Sequence, residues 1–413
     1  MMRKASALIT CTYIAIVLLI CPSTAYPLVT AKDGEWTIRF TGYLKNITTY
    51  TESINFPVSL LSEFMEDSLP PLGEIEEQDH CDNLTRLRIR MAARRGGTFA
   101  WELQYEMHGL ATPPDLMLPG FIDTGAATEQ WLPIHTTLYD EPGYKIFHIL
   151  DRAWFRWTPK WGELILGRQA ITWTMGRLWY PTDLFGPFLP FDIDQDEKRG
   201  VDAVNFAINL GTFSSFRVIY APLERQEDAR VGARLKSTVK GFDIHLMGGY
   251  FSGDRVFGGG ISHNLFKAVV RAEGAYTHPL EGGDRWSMVV NADRALPHNT
   301  YCLIEYYHQS AGASSADDYY KTFPLFSEGT LHGLARDYIG MLVSRQVTAL
   351  LKPGVLGIVN LQDSSLFLGP NVEWKPIEKV VITAAANLFV SDTSESEFSL
   401  FPNTYYASAK IYF

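Results

Sequence analysis

From about residue 35 to Phe413, apolar and polar side chains alternate in runs of about ten residues. Phe99, Trp101, Leu103, Tyr105 and Met107 interleave with Ala100, Glu102, Gln104, Glu106 and His108. Just upstream, Leu87, Ile89 and Met91 interleave with Arg86, Arg88 and Arg90, and Arg94-Arg95-Gly96-Gly97 supplies a turn between the two runs. A period of two puts successive side chains on opposite faces of a strand, so each run has one greasy face and one polar face. A soluble sandwich would show this on half-exposed strands. Here it recurs along the chain with no helical pattern between.

The pattern predicts about 18 strands, near 35–51, 82–95, 98–108, 146–158, 162–173, 201–210, 213–222, 228–239, 241–252, 256–264, 267–277, 285–294, 299–309, 337–347, 354–362, 365–375, 378–390 and 404–413. Connections after even-numbered strands are short, such as Pro159-Lys160-Trp161, Lys352-Pro353-Gly354 and Lys375-Pro376-Ile377-Glu378. The long ones, roughly 52–81, 109–145, 174–200, 310–336 and 391–403, all follow odd-numbered strands. Alternating greasy strands with short turns at one rim and long loops at the other are the signature of a transmembrane antiparallel β-barrel of the bacterial outer membrane, whose even strand number leaves both chain ends in the periplasm.

The ends agree. Arg3 and Lys4, an apolar run from Tyr13 to Ile20 and Ser23-Thr24-Ala25 before Tyr26 read as a cleavable signal peptide over residues 1–25, leaving 26–413 as the barrel. The apolar run is too short to span a membrane as a helix, and Cys21 lacks a small residue directly before it, which argues against lipidation. The last strand, with apolar parity Tyr405, Ala407, Ala409 and Ile411 and terminal Phe413, resembles the C-terminal signature read by the barrel-assembly machinery.

Composition narrows the function. Loss of the leader removes two bases and no acid, moving the formal charge from −10 to −12, and nothing in the chain suggests a nucleic-acid partner. Past the leader only Cys81 and Cys302 remain, which excludes a disulfide scaffold; the two are expected unbonded, Cys81 near the external rim and Cys302 facing lipid. No CxxCH haem site and no paired-cysteine zinc pattern occurs. Aromatic residues make up 13% of the chain, including 20 Tyr and 10 Trp, which suits girdles at the two membrane interfaces where lipid and lipopolysaccharide meet the barrel.

About 18 strands enclose water, whereas eight would be filled by their own side chains. Giving each strand's apolar parity to lipid leaves Arg86, Arg88, Arg90, Arg152, Arg156, Arg217, Arg230, Arg234, Lys236 and Arg271 inside, against Glu102, Glu106, Asp243, Glu273, Asp293, Glu305 and Glu373. A ladder of guanidinium forks would attract carboxylated or phosphorylated solutes; the plainer reading is that inward Arg and Glu brace the wall. On strand 162–173, Leu164 and Leu166 set the lipid face, which sends Arg168 outward unless Gly167 marks a bulge. The external loops carry the opposite sign. Segment 52–81 has eight acids and no Lys or Arg, and 174–200 contains Asp192-Ile193-Asp194-Gln195-Asp196-Glu197. Its alternate carboxylates suit Ca²⁺, although the glycine and glutamate spacing of an EF-hand is missing; no other cofactor is expected.

One block is distinctive: Gly167-Arg168-Gln169, Trp173-Thr174-Met175-Gly176-Arg177, Pro181-Thr182-Asp183-Leu184-Phe185 and Lys198-Arg199-Gly200-Val201-Asp202. It resembles the alginate-export type of outer-membrane porin, which implies an 18-stranded barrel with an arginine-rich lumen passing an anionic polysaccharide. The expectation is therefore a water-filled, anion-preferring channel for small anionic solutes or such a polymer, and not an enzyme. The alternative is a barrel that sheathes a multihaem cytochrome, or engages another periplasmic partner, in an electron-transfer conduit. A barrel enzyme is the third reading: His308 and Ser310 lie close, but no matched acid accompanies them in sequence.

Overall fold

A computed structural model describes residues 29–53, 79–113, 130–186, 193–194, 196–225 and 228–413. The expected leader, and residues 54–78 of the acidic connection, lie outside the described residues.

Twenty strands form one antiparallel sheet: β1 Val29–Asp33, β2 Trp36–Thr51, β3 His80–Arg95, β4 Phe99–Ala111, β5 His135–Glu141, β6 Tyr144–Trp157, β7 Gly162–Gln169, β8 Val201–Asn209, β9 Ser214–Ala221, β10 Arg230–Val239, β11 Phe242–Phe251, β12 Asp254–Leu265, β13 Ala268–His278, β14 Arg285–Leu296, β15 Thr300–Gln309, β16 Asp337–Arg345, β17 Leu351–Asn360, β18 Leu366–Ile377, β19 Val380–Val390 and β20 Thr404–Tyr412. β1 pairs only with β2, and β5 only with β6. The other eighteen close into a ring, because β2 pairs with β3 on one side and with β20 on the other. Gly42 and Phe413 exchange backbone hydrogen bonds of 2.8 and 3.0 Å at the end of that seam. Closure leaves no open edge, which matters for strands crossing lipid, where no water can satisfy an unpaired N–H or C=O.

The alternation explains the two faces. On β4 the inward residues Ala100, Glu102, Gln104, Glu106, His108 and Leu110 are buried, while Leu103, Tyr105 and Met107 are exposed on the outside. Leu166, Val204, Leu246, Phe257, Ile304 and Met341 continue the exposed apolar belt around the ring. Cys302 shares the outward parity of Ile304, Cys81 pairs with Tyr50 near the end of its strand, and the two are not joined in a disulfide.

Elements not read from the sequence are β1, β5, a helix, α1 Tyr319–Ser327, inside connection 310–336, and two short 3-10 turns, Ala316–Asp318 and Glu397–Leu400. β7 ends at Gln169 rather than near 173, because from Ala170 the chain leaves the wall and enters the barrel. At Gly167 the register does not shift, so no residue is inserted. Its φ of +105° is nonetheless one that favours glycine. Arg168 does not face lipid as a bare charge: it is buried, bonds Asp202 through two nitrogens at 2.9 and 2.8 Å, and also donates to the carbonyls of Leu150 and Leu132.

Candidate solute pathway

The described parts of connection 170–200, namely 170–186, 193–194 and 196–200, lie inside the barrel, although 174–200 was expected as an external loop. Its course follows from what the wall offers it. Trp173 and Phe185 pack edge to face and sit in an apolar cluster with Val201, Ile219, Met247, Phe251 and Val256 of β8, β9, β11 and β12. At the apex, Trp179 stacks on Tyr307 of β15 with ring centroids 5.3 Å apart. Gly340 makes room there, since a Cβ would come within 2.3 Å of Leu178 Cδ1.

Two wall carboxylates hold the apex by its backbone. Glu305 accepts the N–H groups of Arg177, Leu178 and Trp179 at 2.8–2.9 Å. Glu273 accepts from Thr174 Oγ1 at 2.7 Å and from the Met175 N–H. Both were expected to line the open lumen; both are instead buried beneath the loop.

The returning strand of the loop is clasped on the opposite wall. Ile193 packs on Ile47, Leu84 and Leu110 of β2, β3 and β4. Lys45 Nζ lies 2.9 Å from Asp194 and 2.6 Å from Asp196. Arg86 meets Asp194 at 2.8 Å, and Lys410 meets Asp196 at 3.2 Å. Burial opposes the charge on Asp196, but Lys45 and Lys410 outweigh it and hold the carboxyl below its ordinary range. Thus the acidic run read as an external, calcium-suited segment is turned inward. Its described carboxylates meet wall cations, while Asp192 lies outside the described residues.

Arg88 belongs to the same clasp: it bonds Glu106 and Gln104, meets Asp151 at 2.6 Å and lies 3.5 Å from Glu197. Asp151 is an extra residue at a register shift in β6, so it and Arg152 both reach inward. Its carboxylate also accepts the N–H of Gly200 at 3.0 Å, where the loop rejoins the wall. Within the loop, Lys198 and Asp183 pair at 2.5 Å. Burial pushes the ammonium down and the carboxyl up, each against the pull of its partner.

Between the loop's first stretch and the short-turn rim lies a cavity of about 680 Å³. Of the residues expected in the lumen, Arg90, Glu102, Arg152, Arg156, Arg217 and Arg234 line it, as does Lys236. Arg90 is paired with Glu102 yet remains half exposed. Arg217 bonds Asn205 at 2.5 Å and Glu163 at 2.9 Å. Arg156 lies over Trp154 and Arg234 over Trp173, with 5.5 and 6.0 Å to the ring centroids. The remaining expected residues are elsewhere. Arg271 is engaged by Asn291 and Asp293, Arg230 sits by Ser252 at the long-loop rim, and Asp243 accepts from Thr238 at the short-turn rim.

Across the loop, a second cavity of about 390 Å³ is lined by Leu342, Leu356 and Phe367 with Arg177, Asn371 and Asn387. Above it, connections 310–336 and 391–403 fill the long-loop half with Ala313, Tyr319, Leu334, Phe398 and Leu400. The carboxyl of Glu397 joins them, accepting from Tyr338 at 2.6 Å, Asn360 at 2.7 Å and the Leu334 N–H at 2.8 Å; burial pushes it up to about 7. Sequence reasoning missed this plug, since a lone Glu in a loop carries no signal of its partners.

His308 has an acid after all: its Nδ1 lies 2.7 Å from Asp337, 29 positions away in sequence. Ser310 Oγ, however, accepts the Trp286 N–H at 2.9 Å and makes no hydrogen bond to His308, so no nucleophile–base pair is assembled.

The sequence matches no family model and no curated relative. Solved structures do match over nearly the whole chain. OccAB4 of Acinetobacter baumannii is 8% identical with a TM-score of 0.54, covering 91% of this chain and 98% of that one. OccD3 (OpdP) of Pseudomonas aeruginosa is 11% identical with a TM-score of 0.49, covering 91% of each chain. The outer membrane channel DcaP of A. baumannii is 10% identical with a TM-score of 0.43, covering 94% and 100%. At these identities the likeness is one of fold, carried by OccAB4: a closed, porin-like antiparallel barrel.

Proposed function

We propose that the chain is an outer-membrane channel that passes small anionic solutes through the basic chamber beneath its inward loop. The observation that carries this reading is the chamber wall. Among the described residues, Arg156, Arg234 and Lys236 face the cavity without a carboxylate partner, and no acid other than Glu102 lines it. The continuous outward belt of Leu, Val, Ile, Met and Phe supports a lipid surround, since soluble proteins rarely expose apolar patches beyond a few hundred Å². The buried clasp supports a loop that narrows the lumen at a fixed height and leaves the free cations to set ion preference.

The cytochrome-sheath reading is less well supported, because the chain's own ion-paired loop occupies the space a partner would need. Alginate remains one candidate among anionic solutes. The test is reversal potential across a planar bilayer under a KCl gradient. Chloride preference that fades as salt rises, with a Debye length of about 10 Å at 0.1 M, is the expected result. Cation preference at low salt would sink the proposal.

A further inference from the structure

The cations of the chamber are not spread evenly. Arg156 stands on β6 against Trp154, while Arg234 stands on β10 against Trp173. In register, the row from Arg156 runs through Ile165, Asn205 and Ile219 to Gly232, and Arg234 stands two residues further along β10, across from Arg217, which Asn205 and Glu163 engage. Neither arginine pairs with a carboxylate among the described residues, and Arg234 Nε has no hydrogen-bond partner at all. Each guanidinium is instead laid on an indole, which fixes its plane; the Nε of Arg234 is itself buried, so that arginine meets the chamber through its terminal nitrogens.

Four strand steps separate β6 from β10, or about 19 Å of wall at ~4.8 Å per step. Side chains converging from a concave wall shorten the distance between the charged heads to roughly 10–15 Å. We infer that the chamber is a two-pole site selective for elongated dianions, molecules with two carboxylates or phosphates held apart by an apolar spacer of about 10 Å. One anionic end meets Arg156 and the other meets Arg234, while the spacer lies along Ile165 and Ile219. A singly charged anion can satisfy only one pole, and a short dianion held at Arg234 and at Lys236, two residues on along β10, cannot reach Arg156. The inference rests on the channel reading above and names the solute class for the same chamber.

The experiment measures block of single-channel chloride current by succinate, adipate, suberate and sebacate at equal ionic strength, with octanoate as the singly charged control. The long dianions should block at about fivefold lower concentration than octanoate, the change expected for one added ion pair of ~1 kcal/mol in a wet site. Succinate, which can reach only Arg234 and Lys236, should be unaffected by Arg156→Gln. Arg156→Gln and Arg234→Gln should each remove the gain, and the double variant should lose no more than either single one. Neither substitution strands a buried carboxylate, and the chain-length series on the unchanged protein decides the matter by itself. Block that is independent of spacer length, or equal for octanoate and sebacate, overturns the two-pole site while leaving anion preference standing. Cation preference in the unmodified channel would instead fail the underlying reading.

Discussion

Arg88 and Arg90 stand two residues apart on the same face of β3, yet one belongs to a brace and the other to a passage. Arg88 is buried among Glu106, Gln104, Asp151 and Glu197 and helps to hold the loop. Arg90, one step nearer the short-turn rim, has only Glu102 and looks into the chamber. The same contrast runs through the lumen. The clasp of Lys45, Arg86 and Arg88 is charge-matched and nearly dry, whereas Arg156, Arg234 and Lys236 line the chamber without a carboxylate partner among the described residues, Arg234 partly buried against Trp173. A ladder of like residues therefore has no single role. What surrounds each rung decides between stability and selectivity.

The clasp should break hardest. Asp194→Ala leaves Lys45 with Asp196 alone and Arg86 with only Glu106 at 4.0 Å, in a site where the removed carboxylate is almost fully buried, and removing one partner of a buried pair costs up to about 3–5 kcal/mol. The expected outcome is a lower unfolding temperature in heat-modifiability gels, together with larger and noisier single-channel conductance. Unchanged conductance would mean that the loop is held without the clasp.

Glu305→Ala leaves three apex N–H groups without their acceptor, for a cost of roughly 3 kcal/mol if water reaches only some of them. Conductance should rise here too, and Glu305→Gln, which keeps an acceptor oxygen, should lie between the two.

The long-loop plug should respond to pH. Glu397 is held up at about 7 by burial, so the packed form favours the protonated acid. Its contribution is complete below the unfolded value near 4.3 and is lost as pH rises through about 7, a swing of about 3–4 kcal/mol. Hydrogen exchange in 391–403 should speed up across that window, and Glu397→Gln should remove the dependence. A flat profile in the unchanged protein would show that Glu397 stays charged in place.

The smallest effect on stability and the clearest on selectivity belong to the chamber. Replacing Arg156 and Lys236 by Gln should move the reversal potential toward cations while changing stability by less than about 1 kcal/mol, as for solvated charges. Replacing Arg86 and Arg88 should do the reverse. If both sets shift the potential equally, the division between brace and passage is wrong.

The sequence by itself determined the wall. Alternation with a period of two is imposed residue by residue when one face meets lipid and the other meets water, so the eighteen ring strands, their faces and the inward parity of Arg86 to Arg90 were all legible from it. Why the described parts of 170–200 turn inward was not. Its acids read as solvent-exposed, because the partners that draw them in, Lys45, Arg86 and Lys410, lie on strands more than a hundred residues away in either direction. The same holds for Glu305 under the apex, Asp337 beside His308 and Glu397 within the plug, each of which is defined by groups distant in the chain. Strand pattern is local chemistry repeated. Which charges are neutralised and which stay open to a solute is settled only when closure of the barrel brings opposite walls and the loop between them into one small volume.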